Sequence, residues 1–145
     1  MTPLVRRAAA SDIEEIATIH REAFPRQRDS EAWVKATLSA VPRILTFVLA
    51  LDSSVAGYIF WAQKSGIRPS VVLELDQVAI VSQFRRQGYG ERLIRESLAL
   101  VAAELKGNGQ SLRSVLVSTR ADNDAQSLYA RILGAKVVAS IEGLY

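Results

Sequence analysis

The stretch "QFRRQGYGERLI", residues 83–94, joins a strand to a helix and places Gly88 and Gly90 where the helix begins. Glycine in a helix costs about 1 kcal/mol relative to alanine, so these two positions need a compensating reason. The first N–H groups of a helix have no intrahelical partner and lie at the positive end of its dipole. Phosphate oxygens can reach those donors past a glycine, and Arg85 and Arg86 add positive charge. The stretch therefore predicts a phosphate or pyrophosphate site.

Two common phosphate-binding motifs do not match the stretch. The dinucleotide fingerprint would need its third glycine at Leu93, and a P-loop would need Gly-Lys-Ser/Thr. The two glycines alone would fit a tight strand-to-helix turn equally well. What remains distinctive is the spacing Arg85-x-x-Gly88-x-Gly90 between an apolar strand and a long helix.

Hydrophobic periodicity assigns the elements around this stretch. It predicts strands over 3–8, 44–51, 55–63, 71–80, 114–119 and 136–145, and helices over 11–24, 30–41, 88–106 and 124–133. A capping box from Ser11 to Glu14 is expected to begin the first helix. This order predicts an α/β (α+β mixed) fold with a mixed sheet and helices on both faces, in one domain spanning residues 1–145.

Composition narrows the classes of function. The 145 residues are 49% hydrophobic and 23% charged, as in an ordinary globular domain. With no cysteine and a single histidine, His20, we expect no disulfide and no metal site. The N-terminus lacks a signal-peptide core and no apolar run is of membrane-spanning length, so we expect a cytoplasmic protein with no membrane contact. A net charge of +3 favours anionic partners only weakly, so nucleic acid is an unlikely partner.

The spacing Arg85-x-x-Gly88-x-Gly90 resembles the acetyl-CoA signature of the GNAT superfamily of N-acetyltransferases. The segment "NDAQSLYARILGA", residues 123–135, resembles the family's second recurring segment, in which an Asn precedes a helix carrying a Tyr. The Asn-to-Tyr spacing is one residue shorter here than in the family, so Asp122 competes with Asn123 for the matching position. The resemblance implies a mostly antiparallel GNAT-like sheet and transfer of an acetyl group from acetyl-CoA to a primary amine.

The resemblance also implies which residues bind acetyl-CoA. The loop amides would bind the pyrophosphate, the backbone of the strand at 78–80 would dock the pantetheine arm, and the Asn of the second segment would contact the cofactor. The residues concerned are Val78, Ala79, Ile80, Arg85, Arg86, Gln87, Gly88, Tyr89, Gly90, Glu91 and Asn123. No metal is implied.

Acetyl transfer requires a base for the ammonium and a proton for the departing thiolate. Glu74 and Asp76 share one face of an apolar strand, and we expect burial and mutual repulsion to raise the pKa of at least one carboxyl. By resemblance to the histone-acetyltransferase branch, Glu74 is the general base and Asp76 the weaker candidate. Both acids would equally fit a structural pairing with arginines.

Tyr129 resembles the family tyrosine that protonates the CoA sulfur. The alternative interpretation of Tyr129 is a residue that only packs in the core.

In this fold the segment between the first two helices borders the acceptor. Phe24, Arg26, Arg28 and Trp33 are therefore expected to face the substrate, and the arginines would suit an acidic acceptor. His20, Phe60 and Trp61 are interpreted as packing residues, with His20 half-buried.

The favoured function is an N-acetyltransferase acting on a protein N-terminus, a peptide or a small-molecule amine. A non-catalytic acyl-CoA-binding regulatory module is the first alternative, because it would need the glycines but not Glu74 or Tyr129. A toxin-like acetyltransferase of aminoacyl-tRNA is the second, and it would require a strongly basic face.

The C-terminal segment "KVVASIEGLY" leads to one further expectation. GNAT folds close with a hairpin, whereas this sequence ends after a single strand. An open apolar edge beside residues 114–119 would invite pairing with another chain. We therefore expect residues 136–144 to pair with that strand directly, or a homodimer to form through the C-terminal strand.

Overall fold

A computed structural model describes residues 2–64, 66–118, 125–136, 138, 141 and 142. The chain runs in the order β1 (Pro3–Arg7), α1 (Ile13–Ala23), α2 (Ser30–Leu38), β2 (Ile44–Leu51), β3 (Ser54–Lys64), β4 (Ser70–Ile80), α3 (Tyr89–Gly107), β5 (Ser111–Val117) and α4 (Ala125–Leu133). Short 3₁₀ turns at Ala10–Asp12 and Ser82–Phe84 precede α1 and α3. No described helix is long and apolar enough to cross a membrane.

The five described strands form one sheet in the order β1-β2-β3-β4-β5. Neighbours among the first four strands are antiparallel, whereas β5 is parallel to β4 and is reached through α3. The central strands β2 and β3 are buried on both faces, which is why their sequences read as almost continuous apolar runs. The expected mixed, mostly antiparallel sheet of an α/β fold is confirmed.

Each face of the sheet carries its own apolar cluster. The first cluster lies under α3 and α4 and holds, among others, Phe47, Trp61, Leu75, Leu93 and Tyr129. The second lies under α1 and α2 and includes Ile16, Val34, Tyr58 and Phe60. Helices therefore cover both faces, as expected, and Phe60 and Trp61 are fully buried packing residues.

The start of α1 differs from the sequence expectation. The chain makes a 3₁₀ turn before the helix, and the Asp12 side chain caps that turn in place of the expected capping box of Ser11 and Glu14. The Asp12 carboxylate accepts the N–H of Ala9 at 2.7 Å and two N–H groups of Arg6 at 2.8 and 3.0 Å. The hydrogen bonds from Arg6, and to a smaller extent the one from Ala9, hold the pKa of Asp12 below its usual value.

The strand predicted over 136–145 lies outside the described residues for most of its length, as does the homodimer contact based on it. The strand expected at 114–119 begins earlier, at Ser111, since the N–H of Ser111 already donates to the carbonyl of Pro69 at 2.8 Å.

We predict that Asp12→Ala lowers the free energy of unfolding by about 2 kcal/mol at pH 7, because charged hydrogen bonds are lost. Since folding lowers the pKa of Asp12, its contribution is present above the unfolded-state pKa near 3.8 and is lost as the pH falls through the folded value. Urea denaturation at pH 7 and at pH 3 checks this prediction. The exposed Glu14→Ala variant is the control, and an equal loss in both variants at pH 7 would contradict the assignment.

Candidate functional site

The loop between β4 and α3 presents the start of a 19-residue helix to solvent. Gly88 is the N-cap residue, with a left-handed φ of 81°, and a Cβ added there would meet nothing within 4 Å. The backbone conformation therefore favours glycine here, a reason that sequence spacing did not reveal. A Cβ on Gly90 would lie 3.8 Å from the Ile80 side chain, an ordinary contact. Gly90 is thus not required by packing.

The N–H groups of residues 88–91 donate no hydrogen bond within the described part of the chain. They lie at the positive end of α3, where the helix dipole favours negative charge. Four adjacent donors on an exposed helix start suit the oxygens of a phosphate or pyrophosphate. The geometry thus fits the anion site that the sequence predicts.

The neighbouring side chains brace this loop. Arg85 Nε donates to the carbonyl of Ile80 at 3.0 Å, and Gln87 Nε2 donates to the carbonyl of Gln83 at 3.2 Å. Arg86 is exposed and has a left-handed φ of 62°, which is uncommon for a residue other than glycine. The Tyr89 ring meets Phe84 edge-on with centroids 6.2 Å apart. Both arginines are exposed beside the helix start, and the Arg85 side chain is the one held against the end of β4.

Glu91, in the first turn of α3, is neutralised by two arginines. Its carboxylate accepts from Arg95 at 3.1 Å and from Arg131 of α4 at 2.9 Å. These hydrogen bonds lower the pKa of Glu91. The two pairs offset a negative charge that would otherwise oppose an anion here, and the Arg131 pair links α4 to α3.

No described strand pairs with the β5-side edge of the carboxyl-terminal half of β4, and this edge is here called the free edge. Pairing with β5 ends at Leu75 opposite Val117, whereas pairing with β3 continues to Ile80 opposite Gly57. Residues 76–80 thus have no described strand beside them on the β5 side, and the backbone of Val78, Ala79 and Ile80 borders this gap. The gap leads directly to the open start of α3, so an extended ligand can reach both features.

A bulge in β4 separates the two candidate acids. Leu75 pairs with Trp61 and Gln77 with Phe60, so Asp76 is the extra residue and lies just beyond the last β4–β5 pair. Burial, followed by the charge of Glu74, raises the pKa of Asp76, although its side chain keeps contact with solvent. The expectation of one raised carboxyl pKa is thus met by Asp76.

Glu74 lies before the bulge and pairs with Lys64, with 3.5 Å between Nζ and Oε1. Lys64 was not among the site residues expected from the sequence. It lies opposite Val72 in the β3–β4 register, diagonally beside Glu74, so a correct register would have identified it. Its charge counteracts the rise in the pKa of Asp76.

Tyr129 is buried in the first cluster, which also includes Leu75 at the point where β5 leaves β4. Asn123 and Asp122 lie outside the described residues.

The predicted acceptor residues belong to the end of α1, the connecting loop and α2. Phe24 packs against the second cluster, while Arg26 and Arg28 are exposed in the connecting loop. Trp33, in α2, keeps 48% of its surface exposed.

Comparison with known proteins supports the family and the fold. A sequence model of the acetyltransferase (GNAT) family matches residues 13–135. No curated protein matches the chain by sequence.

The fold resembles three solved structures of related description. Arabidopsis thaliana NAA60 with a bisubstrate analogue has TM-score 0.78 and 19% identity over 99% of this chain and 89% of that chain. Ribosomal-protein-alanine N-acetyltransferase from Brucella melitensis biovar Abortus 2308 has a TM-score of 0.76 and 17% sequence identity, over 99% of this chain and 99% of that chain. AAC(6')-Iy with the bisubstrate analogue CoA-S-monomethyl-acetylneamine has 0.77 and 17%, over 97% of this chain and 95% of that chain.

At such low identities these likenesses establish the fold alone, whereas the family match covers most of the sequence. The chain belongs to the GNAT family of acetyltransferases.

Proposed function

We propose that this acetyltransferase moves the acetyl group of acetyl-CoA to a primary amine of a protein N-terminus, a peptide or a small molecule. The observation that carries the proposal is the continuity between the open start of α3 and the free edge of β4. A non-catalytic module would need this continuity only for binding. Asp76, whose pKa is raised at the end of the β4–β5 pairing, and the match of Tyr129 to the family motif favour catalysis.

The N–H groups of residues 88–91 would bind the pyrophosphate, with Arg86 adding charge. The backbone of Val78, Ala79 and Ile80 would pair with the amides of the pantetheine arm as a strand would. This arrangement directs the thioester towards Asp76, at the end of the gap opposite the helix. Asn123 remains a predicted contact.

We infer that Asp76, rather than Glu74, removes the proton from the attacking ammonium. Glu74 is held by Lys64, whereas Asp76 lies at the end of the β4–β5 pairing and has its pKa moved towards the working range of a base. The neutral amine then forms the C–N bond to the thioester carbonyl as the C–S bond breaks. Glu74 is the alternative base.

Tyr129 would donate its phenolic proton to the departing thiolate, which leaves as the CoA thiol. The phenolate then takes up the second proton, which the attacking nitrogen loses as the amide forms, and Asp76 releases the first proton to solvent, so the enzyme ends the cycle unchanged. The burial of Tyr129 keeps water from competing at this step.

Two kinds of acceptor appear among the structural relatives: a ribosomal-protein alanine in one and aminoglycosides in others. The rim residues Phe24, Arg26, Arg28 and Trp33 would contact the acceptor. The test is release of free CoA with an alanine-initiated peptide, spermidine and kanamycin as amines. Acetyl-CoA binding without release for any amine in a broad panel would favour the regulatory module.

We predict that Gly90→Glu abolishes acetyl-CoA binding, because a carboxylate would enter the anion site and repel the pyrophosphate. Calorimetric titration with acetyl-CoA measures the effect. Gly107→Glu, at the opposite end of α3, is the matched control and should bind normally, since a side chain there meets nothing within 4 Å. Equal affinities in folded samples of both variants would overturn the assigned site.

We predict opposite shifts of the acidic limb of the kcat/KM profile when the two neighbours of Asp76 are neutralised. Glu74→Gln removes a charge that raises the pKa of Asp76, so the limb moves to lower pH. Lys64→Gln removes a charge that lowers it, so the limb moves to higher pH. Asp76→Asn should reduce kcat about 100-fold or more. If Glu74→Gln abolishes turnover while Asp76→Asn retains it, Glu74 is the base.

We predict that Tyr129→Phe lowers kcat at least about tenfold with little change in acetyl-CoA affinity, because it removes only the late proton donor. Steady-state kinetics and calorimetry separate the two effects. Leu128→Ala, the neighbouring residue of α4, controls for disturbed packing. A matching kcat in wild type and Tyr129→Phe would assign Tyr129 to packing alone.

A further inference from the structure

His20 is fully buried, with both ring nitrogens hydrogen-bonded, and is not the half-buried packing residue expected from the sequence. Nδ1 lies 2.8 Å from Ser30 Oγ and Nε2 lies 2.8 Å from Gln27 Oε1. The three residues belong to α1, to the following loop and to the first turn of α2. One imidazole thus connects two helices and the loop of residues 24–29 between them.

The partners determine the state of the ring. The Gln27 oxygen can only accept, so Nε2 carries the hydrogen and Nδ1 accepts from the Ser30 hydroxyl. Burial, followed by the charge of Arg21, lowers the pKa of His20 overall, although the Gln27 bond opposes this. The ring is therefore neutral at physiological pH, and both of its nitrogens have hydrogen-bond partners.

The loop has few other restraints. The N–H of Phe24 donates to the His20 carbonyl, and the N–H of Gln27 donates to the Phe24 carbonyl, both at 2.9 Å. Asp29 has a left-handed φ of 53°, an unfavourable conformation that surrounding contacts must maintain. Residues 25–29 are exposed and contribute little packing. The His20 cluster is accordingly the main side-chain restraint on this loop.

The loop lies on the face of the sheet that carries the acids. The Glu15 carboxylate accepts the N–H of Val55 at 2.8 Å, so α1 begins near the end of the sheet where Gly57 pairs with Ile80. The end of α1 places Phe24 against the second cluster, with its ring 5.3 Å from that of His20.

Two members of that cluster connect it to the acids. The Tyr58 hydroxyl donates to Oε1 of Gln77, the residue after Asp76, at 3.3 Å, and burial, followed by the charge of Asp76, raises the pKa of Tyr58. Phe60 pairs with Gln77, the residue after Asp76.

We propose that His20 is a positioning residue: through Ser30 and Gln27 it holds loop 24–29 in one conformation, and this sets the affinity for the acceptor amine without affecting acetyl-CoA. The inference rests on the proposed acetyl transfer. In this proposal the Phe24 side chain is held in a fixed position, and the acceptor packs against it in the orientation needed for attack.

Ser30→Ala and Gln27→Leu each remove one hydrogen bond of the cluster. Each should raise the KM of the best amine in the panel about tenfold, leaving kcat and the acetyl-CoA Kd within about twofold. Gln27→Glu keeps an acceptor oxygen and should retain the wild-type KM. Ser39→Ala, whose hydroxyl donates to the Lys35 carbonyl just after α2, is the matched control.

An unchanged amine KM in both Ser30→Ala and Gln27→Leu would overturn the proposal, as would an equal loss of acetyl-CoA affinity. If no amine is acetylated, the proposed function fails and amide hydrogen exchange tests the positioning separately. Residues 24–29 should then exchange about tenfold faster in Ser30→Ala than in wild type or Ser39→Ala. Identical exchange in the three proteins would overturn the role of His20.

Discussion

The parallel pairing of β4 with β5 ends at Leu75 and Val117, and beyond that point β4 is hydrogen-bonded to β3 alone among the described strands. An unpaired strand edge inside a protein normally costs free energy, since backbone groups removed from water need hydrogen-bond partners. Here the edge opens towards the start of α3, whose first donors are also unpaired within the described residues. One linear ligand with amides at one end and phosphates at the other would satisfy both.

Much of this arrangement follows from the sequence. The apolar runs of β2 and β3 identify central strands, and the spacing of Gly88 and Gly90 before an amphipathic helix predicts an anion site at the open start of α3. These features are local, so periodicity and residue type suffice. The match of residues 13–135 to the family agrees with them.

The features that escaped sequence analysis are those that depend on tertiary placement. Nothing in "LELDQ" indicates a bulge at Asp76, because bulges lack a strict residue preference outside glycine. The pair of Lys64 with Glu74 depends on strand register, and the burial of His20 depends on how α2 folds back onto α1. Each required knowing which residues from distant parts of the chain meet.

The bulge has a consequence for how this fold can vary. Leu73 and Leu75 face the first cluster before the bulge, and Val78 and Ile80 face it after the bulge. The alternation of side chains between the two faces of the sheet is therefore shifted by one residue, and both apolar clusters remain intact. Asp76 therefore behaves as an inserted residue that neither cluster needs for its packing. With Asp76 as the proposed base, exchange of this one side chain would alter reactivity while the two apolar layers stay as they are, so chemistry and stability would be under separate control at the same strand.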